Sequence, residues 1–308
     1  MINLMRADLY RATRSIVFFI CLGLVFVTSA WVTGDIMVEY LIHFQGEVMK
    51  PTYLMLHAYS AIGIVSIAAG LSAVFITGGD FDGGNIRNKI YAGRSKAGIY
   101  LSNMINSFFV ALMYLLLHLT IVTLCFGFGF GWAYAGRFFG YGYYVKLLLM
   151  SLLHAVAIQL FMTSLGCACA MIVEKKFVAL IIFAVVFVLL IYFNDGTHEY
   201  AVATNETIVG YEADWSQGDE NVILTKLYED VNPYFSQDEA FKVKCLILDS
   251  ISAPYHALGK QLVYAPTAQS AVFPGTELIF WRYPVSDCVM TMIFSLFGYT
   301  IFKNRNMK

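Results

Sequence analysis

Six stretches of this chain are so long and so apolar that they dominate everything else it can fold into. A helix needs about 20 mostly apolar residues to cross a hydrocarbon core of about 30 Å at a rise of about 1.5 Å per residue. Residues 15–32, 53–77, 99–126, 143–173, 177–193 and 283–302 meet that requirement. Backbone in contact with lipid has to satisfy its own hydrogen bonds, which runs of this kind do only as helices. The third and fourth exceed the length of a span, so tilt or protrusion is expected of them. Composition agrees: 59% of residues are hydrophobic and 13% charged, against about 25% charged in a soluble domain. With 20 Lys+Arg against 21 Asp+Glu, the basic excess that nucleic-acid binding requires is missing. The expected fold is an all-α polytopic membrane protein with six transmembrane helices.

Lysine and arginine orient the spans, because they concentrate in the short connections on the inner side. With the N-terminus inside, the inner connections hold Arg6, Arg11, Arg14, Arg87, Lys89, Arg94, Lys96, Lys175, Lys176, Lys303, Arg305 and Lys308, whereas the short outer ones, 33–52 and 127–142, hold only Lys50 and Arg137. Both termini are therefore expected to be cytoplasmic. The first span follows basic residues as a signal peptide does, but it is long for one, and its removal would break the charge pattern. Residues 1–14 read as an amphipathic helix at the inner surface, with Leu4, Met5, Leu9 and Ala12 on one side and Arg6 and Arg14 available to lipid phosphates.

The expected organisation is thus an interfacial helix (1–14), five spans (15–193) with an inner loop at 78–98, an outer segment (194–281), and a sixth span with a basic tail (282–308). The outer segment with Arg282 at its edge carries thirteen acids against five bases. Long loops translocate regardless of charge, so its acidity does not disturb the topology. It opens with Asn194-Asp195-Gly196, a turn signal. A helix is expected at about 237–250, where Phe241, Cys245, Leu246 and Leu248 form an apolar stripe. Pro254, Pro266 and Pro274 punctuate the remainder, and the whole reads as a small domain of mixed structure.

Chemistry-bearing motifs are few. There is no G-x-x-x-x-G-K-[ST] phosphate loop, no G-x-S-x-G elbow, and His198-Glu199 lacks the second histidine of a zinc-protease helix. Asp80-Phe-Asp82-Gly-Gly lacks the later ligands of a calcium loop. Of the six cysteines only Cys245 lies outside the expected spans, and Cys167 and Cys169 project roughly 200° apart on a helix, which suits packing better than metal binding. Neither an enzymatic site nor a cofactor of this chain's own is expected.

Charge inside a span is costly and often functional. Asp287 and Lys146 fall near the outer ends of the sixth and fourth spans. Asp287 either pairs locally, as with Arg282, or lines a substrate path. His57, His118 and His154 read as hydrogen-bonded packing residues rather than a relay, since no carboxylate is expected beside them. The glycine–aromatic stretch 127–144 disfavours a regular helix. Trp132 within it is either part of an interfacial aromatic belt or a gate for an amphipathic substrate.

The inner loop is the most specific segment. Asp82 is followed by Gly84-Asn85-Ile86-Arg87-Asn88-Lys89-Ile90, then Gly93, Ser95 and Lys96. This run resembles the permease subunits of ABC-2 type transporters, where an acidic residue, a G-T-I-R-N-K-like run, a glycine and S-R or S-K introduce the third span. Asn85 stands where threonine is usual. Asn232-Pro233-Tyr-Phe-Ser236 resembles the outer segment of Gram-positive members, with Gln237 replacing the usual glycine. Gly298-Tyr-Thr-Ile-Phe302 with its basic tail resembles the family's closing segment. The resemblance implies a coupling helix at 78–98 docking on a separate ABC ATPase subunit that binds ATP and magnesium, and a second permease subunit, identical or homologous. It implies residence in the plasma membrane of a bacterium. A short basic helix with Ile86 and Ile90 one turn apart can bury an apolar knob in a partner's groove, or the loop can rest on anionic membrane lipid. The strongly apolar spans point to a peptide or lipid-like amphiphile as the exported substrate, and the acidic outer segment to cationic peptides. The competing expectation is a membrane-anchored sensor or assembly protein whose outer domain binds a ligand.

Overall fold

The computed structural model describes residues 2–43, 62–132, 142–202, 207–214, 223–229, 238, 240–241, 243–245 and 276–305. Eight helices and one antiparallel hairpin are present among them. Helix α1 (Ile2–Thr13) meets α2 (Ile16–His43) at Ser15, whose hydroxyl donates to the Ala12 carbonyl at 2.8 Å and accepts from the Phe18 N–H at 3.2 Å. One side chain thereby ends the first helix and starts the second. Helix α3 (Gly63–Asp82) leads into the seven-residue α4 (Asn85–Tyr91), and α5 (Lys96–Phe130) follows, N-capped by Ser95, which accepts from the Gly98 N–H at 3.1 Å. Next come α6 (Gly142–Val173), α7 (Lys176–Val202), the strands β1 (Thr207–Asp214) and β2 (Ile223–Glu229), and α8 (Thr276–Asn304).

Helices α3 and α6 form the centre. Helix α6 packs on α3, α5, α7 and α8; α3 packs also on α2, α5 and α7. Small residues let these backbones approach, as membrane helix contacts require. A Cβ on Gly166 of α6 would meet the Gly70 carbonyl of α3 and stand 2.9 Å from the Ala73 Cβ. On α8, a Cβ on Gly298 would stand 2.9 Å from the Ala168 Cα. The main core runs from Val25 through Val74, Val110 and Tyr114 to Phe161 and Phe183.

Among the described residues, five helical stretches are long and apolar enough to cross a membrane: Ile16–Asp35, Gly63–Asp82, Lys96–Gly129, Leu152–Val173 and Pro284–Asn304. In α7 the apolar stretch, Lys176–Leu190, is shorter than these five, although the helix itself runs on to Val202.

Several expected boundaries need correction. Helix α2 continues eleven residues past position 32, into the expected outer connection. The Gly78–Asp82 stretch, expected in the inner loop, is the last turn of α3. Glycines 127 and 129 do not end α5, which remains helical to Phe130: Gly127 makes room for the Trp132 ring and Gly129 for Met37. Packing thus outweighs a propensity penalty of about 1 kcal/mol per glycine. The turn signal at Asn194-Asp195-Gly196 is overridden, because α7 passes through it. Helix α8 begins at Thr276 and accommodates Pro284. Of the expected 237–250 helix, residues 240–241 and 243–245 are helical, with Asp238 Oδ1 accepting from the Ala240 N–H at 2.9 Å. The hairpin, bulged near Gly210, lies in the segment expected to be of mixed structure. The motif at 232–236, His57 and the stretch 133–141 lie outside the described residues.

Candidate functional site at the α4 end of the bundle

Two glycines with positive φ, Gly84 at 67° and Gly93 at 76°, bracket α4. That backbone region is strained for other residues, so the glycines allow a seven-residue helix to be inserted between two long ones. Helix α4 has one face turned inward. Ile86 is buried in a small cluster with Ile99, Tyr100, Met171 and Phe302, and half-buried Ile90 packs against it. Phe81 meets Phe302 edge to face at 6.1 Å.

Beside this cluster lies a ring of four charges. The Lys89 ammonium is 2.9 Å from Asp8 Oδ2 and 2.7 Å from Asp80 Oδ2. The Arg11 guanidinium is 3.1 Å from Asp8 Oδ1 and pairs with Asp80 Oδ1. Each carboxylate therefore holds both cations, and each cation holds both carboxylates. Ser102 of α5 donates to Asp8 Oδ2 at 3.2 Å. The Asp80 and Asp8 side chains are 1% and 4% exposed, and Lys89 10%, so charge neutrality is essential at this depth. Four elements meet in this ring: α1, the end of α3, α4 and α5.

Other polar contacts tie the same end together. Lys176 lies 3.5 Å from Asp82, and Arg305 3.1 Å from Glu174. Lys96 donates to the backbone carbonyls of Lys303 and Arg305, a cation at a helix C-terminus.

Most residues singled out in the sequence thus have internal tasks. Gly84 and Gly93 set the backbone, Ser95 caps α5, Lys96 caps α8 and Asp82 pairs with Lys176. Asn85 stands at the first turn of α4. The expectation that Ile86 offers a knob to a partner is corrected, since its side chain is 1% exposed within its own bundle. Lys89 is likewise turned inward. The outward face consists of Arg87, Asn88 and Tyr91, with Arg94 in the turn after the helix, all exposed. Tyr91, at 79% exposure, and Arg94 were not among the expected site residues. Their signal was geometric: at about 100° per residue, Tyr91 falls roughly 140° around the helix from Ile86.

The amphipathic reading of α1 changes in the same sense. Leu9 and Ala12 pack into the main core rather than facing lipid, and α1 rests on α5. Arg6 and Arg14 are exposed, the latter 4.3 Å over the Tyr10 ring.

Of the two residues considered for a substrate path, Trp132 is half exposed and stacks edge to face on Phe128 at 5.7 Å. Asp287 is buried, and its Oδ2 stands 3.2 Å from His154 Nε2 on α6. The expectation that no carboxylate accompanies the intramembrane histidines is therefore corrected. His118 Nδ1 lies 2.8 Å from Ser29 Oγ. Asn103 and Gln159 are fully buried, and their side-chain amides have no hydrogen-bond partner among the described residues. Among the described residues no three His, Cys, Asp or Glu side chains are grouped to hold a metal ion.

The fold and the distribution of its apolar helices define a multi-pass, predominantly helical membrane protein. Neither a protein-family model nor a curated protein matches the chain.

Proposed function

We propose that this chain is the membrane-spanning permease subunit of an ATP-driven ABC-2 type transporter, exporting a peptide or lipid-like amphiphile. The observation that carries the reading is α4, a short helix between glycine hinges at the end of two long apolar helices, which presents Arg87, Asn88 and Tyr91 outward with Arg94 in the turn that follows. An aromatic ring flanked by two arginines is a chemistry enriched at protein interfaces. The partner is an ABC ATPase subunit that binds ATP and magnesium. Nucleotide-driven closure of two ATPases displaces α4, and with it the ends of α3 and α5, in a complex with a second permease subunit, identical or homologous.

Six spans, with both termini at the inner face of a bacterial plasma membrane, suit this role. The Arg305–Glu174 pair supports that topology. It brings the end of α8 to the end of the bundle where α7 begins, so one crossing by α8 requires an opposite crossing by α7. At 27 residues, α7 reaches about 40 Å. Outer connections then include the β1–β2 segment.

Isolating the tagged chain from its host in mild detergent, with its bound proteins, tests the reading. An ABC ATPase in stoichiometric amount is expected; its absence from complexes that keep the native bundle would remove the basis of the proposal.

A further inference from the structure

We infer that Asp8, Arg11, Asp80 and Lys89 form a clasp that makes the N-terminal helix α1 part of the coupling element, so that α1 and α4 move as one body. The mechanical consequence of the clasp rests on the proposed transporter function; the clasp itself does not.

Helix α1 packs on α5 and α2, whereas its tie to α4 is electrostatic. Lys89 belongs to α4, Asp80 to the last turn of α3, and Asp8 and Arg11 to α1. The four groups alternate in sign around a closed ring, so the departure of any member leaves two like charges sharing a single counter-charge. With Asp8 and Asp80 almost fully buried, a broken ring strands a carboxylate or an ammonium in an apolar environment, which strongly disfavours partial opening. Opening is therefore concerted, and a displacement of α4 is transmitted through Lys89 to α1. The exposed Arg6 of α1 and Arg14 just after it would then sweep across the membrane surface whenever α4 is moved. These four residues act as positioning residues for the docking face, since none of the two acids or Lys89 is available to a partner.

Amide hydrogen exchange on the full chain in detergent, read by mass spectrometry, tests this without any partner. The variant Asp8→Asn lies on α1, yet it is expected to speed exchange across Asn85–Tyr91 by roughly tenfold, the change that about 1.4 kcal/mol of lost local stability produces. Lys89→Met should speed exchange in Ile2–Thr13 by a similar factor, while Lys89→Arg should keep both segments slow. Arg11→Gln, at the exposed rim of the ring, serves if the buried variants do not fold, and should loosen both helices to a smaller degree. Exchange that rises only in the helix carrying the substitution overturns the clasp. Joint loosening in a chain that captures no ATPase upholds the clasp and sinks the transporter reading. Captured ATPase with independent helices does the reverse.

Discussion

The ammonium of Lys96 donates to the carbonyl oxygen of Arg305 at 2.6 Å and to that of Lys303 at 2.9 Å, joining the start of α5 to the end of the last helix. The four terminal carbonyls of a helix have no partner within it. A cation placed there also meets the negative end of the helix dipole, with a stabilisation of about 0.3–1 kcal/mol when exposed and up to about 2 kcal/mol when partly buried. Lys96→Ala should therefore fray the final turn of α8, seen as faster amide exchange at 301–305, while α4 stays protected. Lys96→Arg should retain most of the protection.

The pair His154–Asp287 yields a prediction of opposite signs. Removing the imidazole with His154→Leu leaves a buried carboxyl group without the ring it faces, and breaking a buried pair from one side typically lowers stability by about 3–5 kcal/mol. Replacing both residues by leucine removes the stranded group as well. The double variant should accordingly melt above the single His154→Leu variant in detergent. A double variant that melts at or below it would show that the two residues are not energetically coupled.

Close packing at the centre is testable by adding one methyl group. Gly166→Ala drives a Cβ into the Gly70 carbonyl and the Ala73 side chain, with an expected loss of about 1–3 kcal/mol from overpacking. Adding Ala73→Gly should recover part of the loss in thermal melting, because one of the two obstacles is then removed. Gly23, with no atom within 4 Å of a Cβ built on it, is the control position and should tolerate alanine.

Hydropathy alone was enough to find the five helices among the described residues that are long and apolar enough to cross a membrane, because their apolar runs are long. It misjudged boundaries wherever a distant residue supplied what the local sequence lacked. Asp80 can sit in the last turn of an apolar helix because Arg11 and Lys89 neutralise it, and neither contact is encoded near position 80 in a readable way. Glycines 127 and 129 look like breakers until the Trp132 ring and Met37 are seen against them. At the site, the motif drew attention to α4, yet it could not say which side faced inward. Ile86 and Ile90 form an apolar stripe equally suited to a partner's groove or to the chain's own Phe302, and only the folded bundle distinguishes these. Once Ile86 is inward, Tyr91 is outward by helical geometry, so that residue was legible after one further step. His154 on α6 and Asp287 on α8 are separated by α7 and a long connection, and no local pattern links them.

The docking face of α4 is tested most directly by comparing captured ATPase across variants of the tagged chain. Tyr91→Ala and Arg94→Glu together should reduce the ABC ATPase recovered with the chain at least tenfold, with thermal stability unchanged to within about 0.5 kcal/mol, as expected for exposed positions. Ile86→Asp, by contrast, should unfold the α4 end whether or not an ATPase is present, since it buries a charge among Ile99, Tyr100 and Phe302. Undiminished ATPase recovery with the Tyr91 and Arg94 variants, in chains that fold normally, would contradict the account directly.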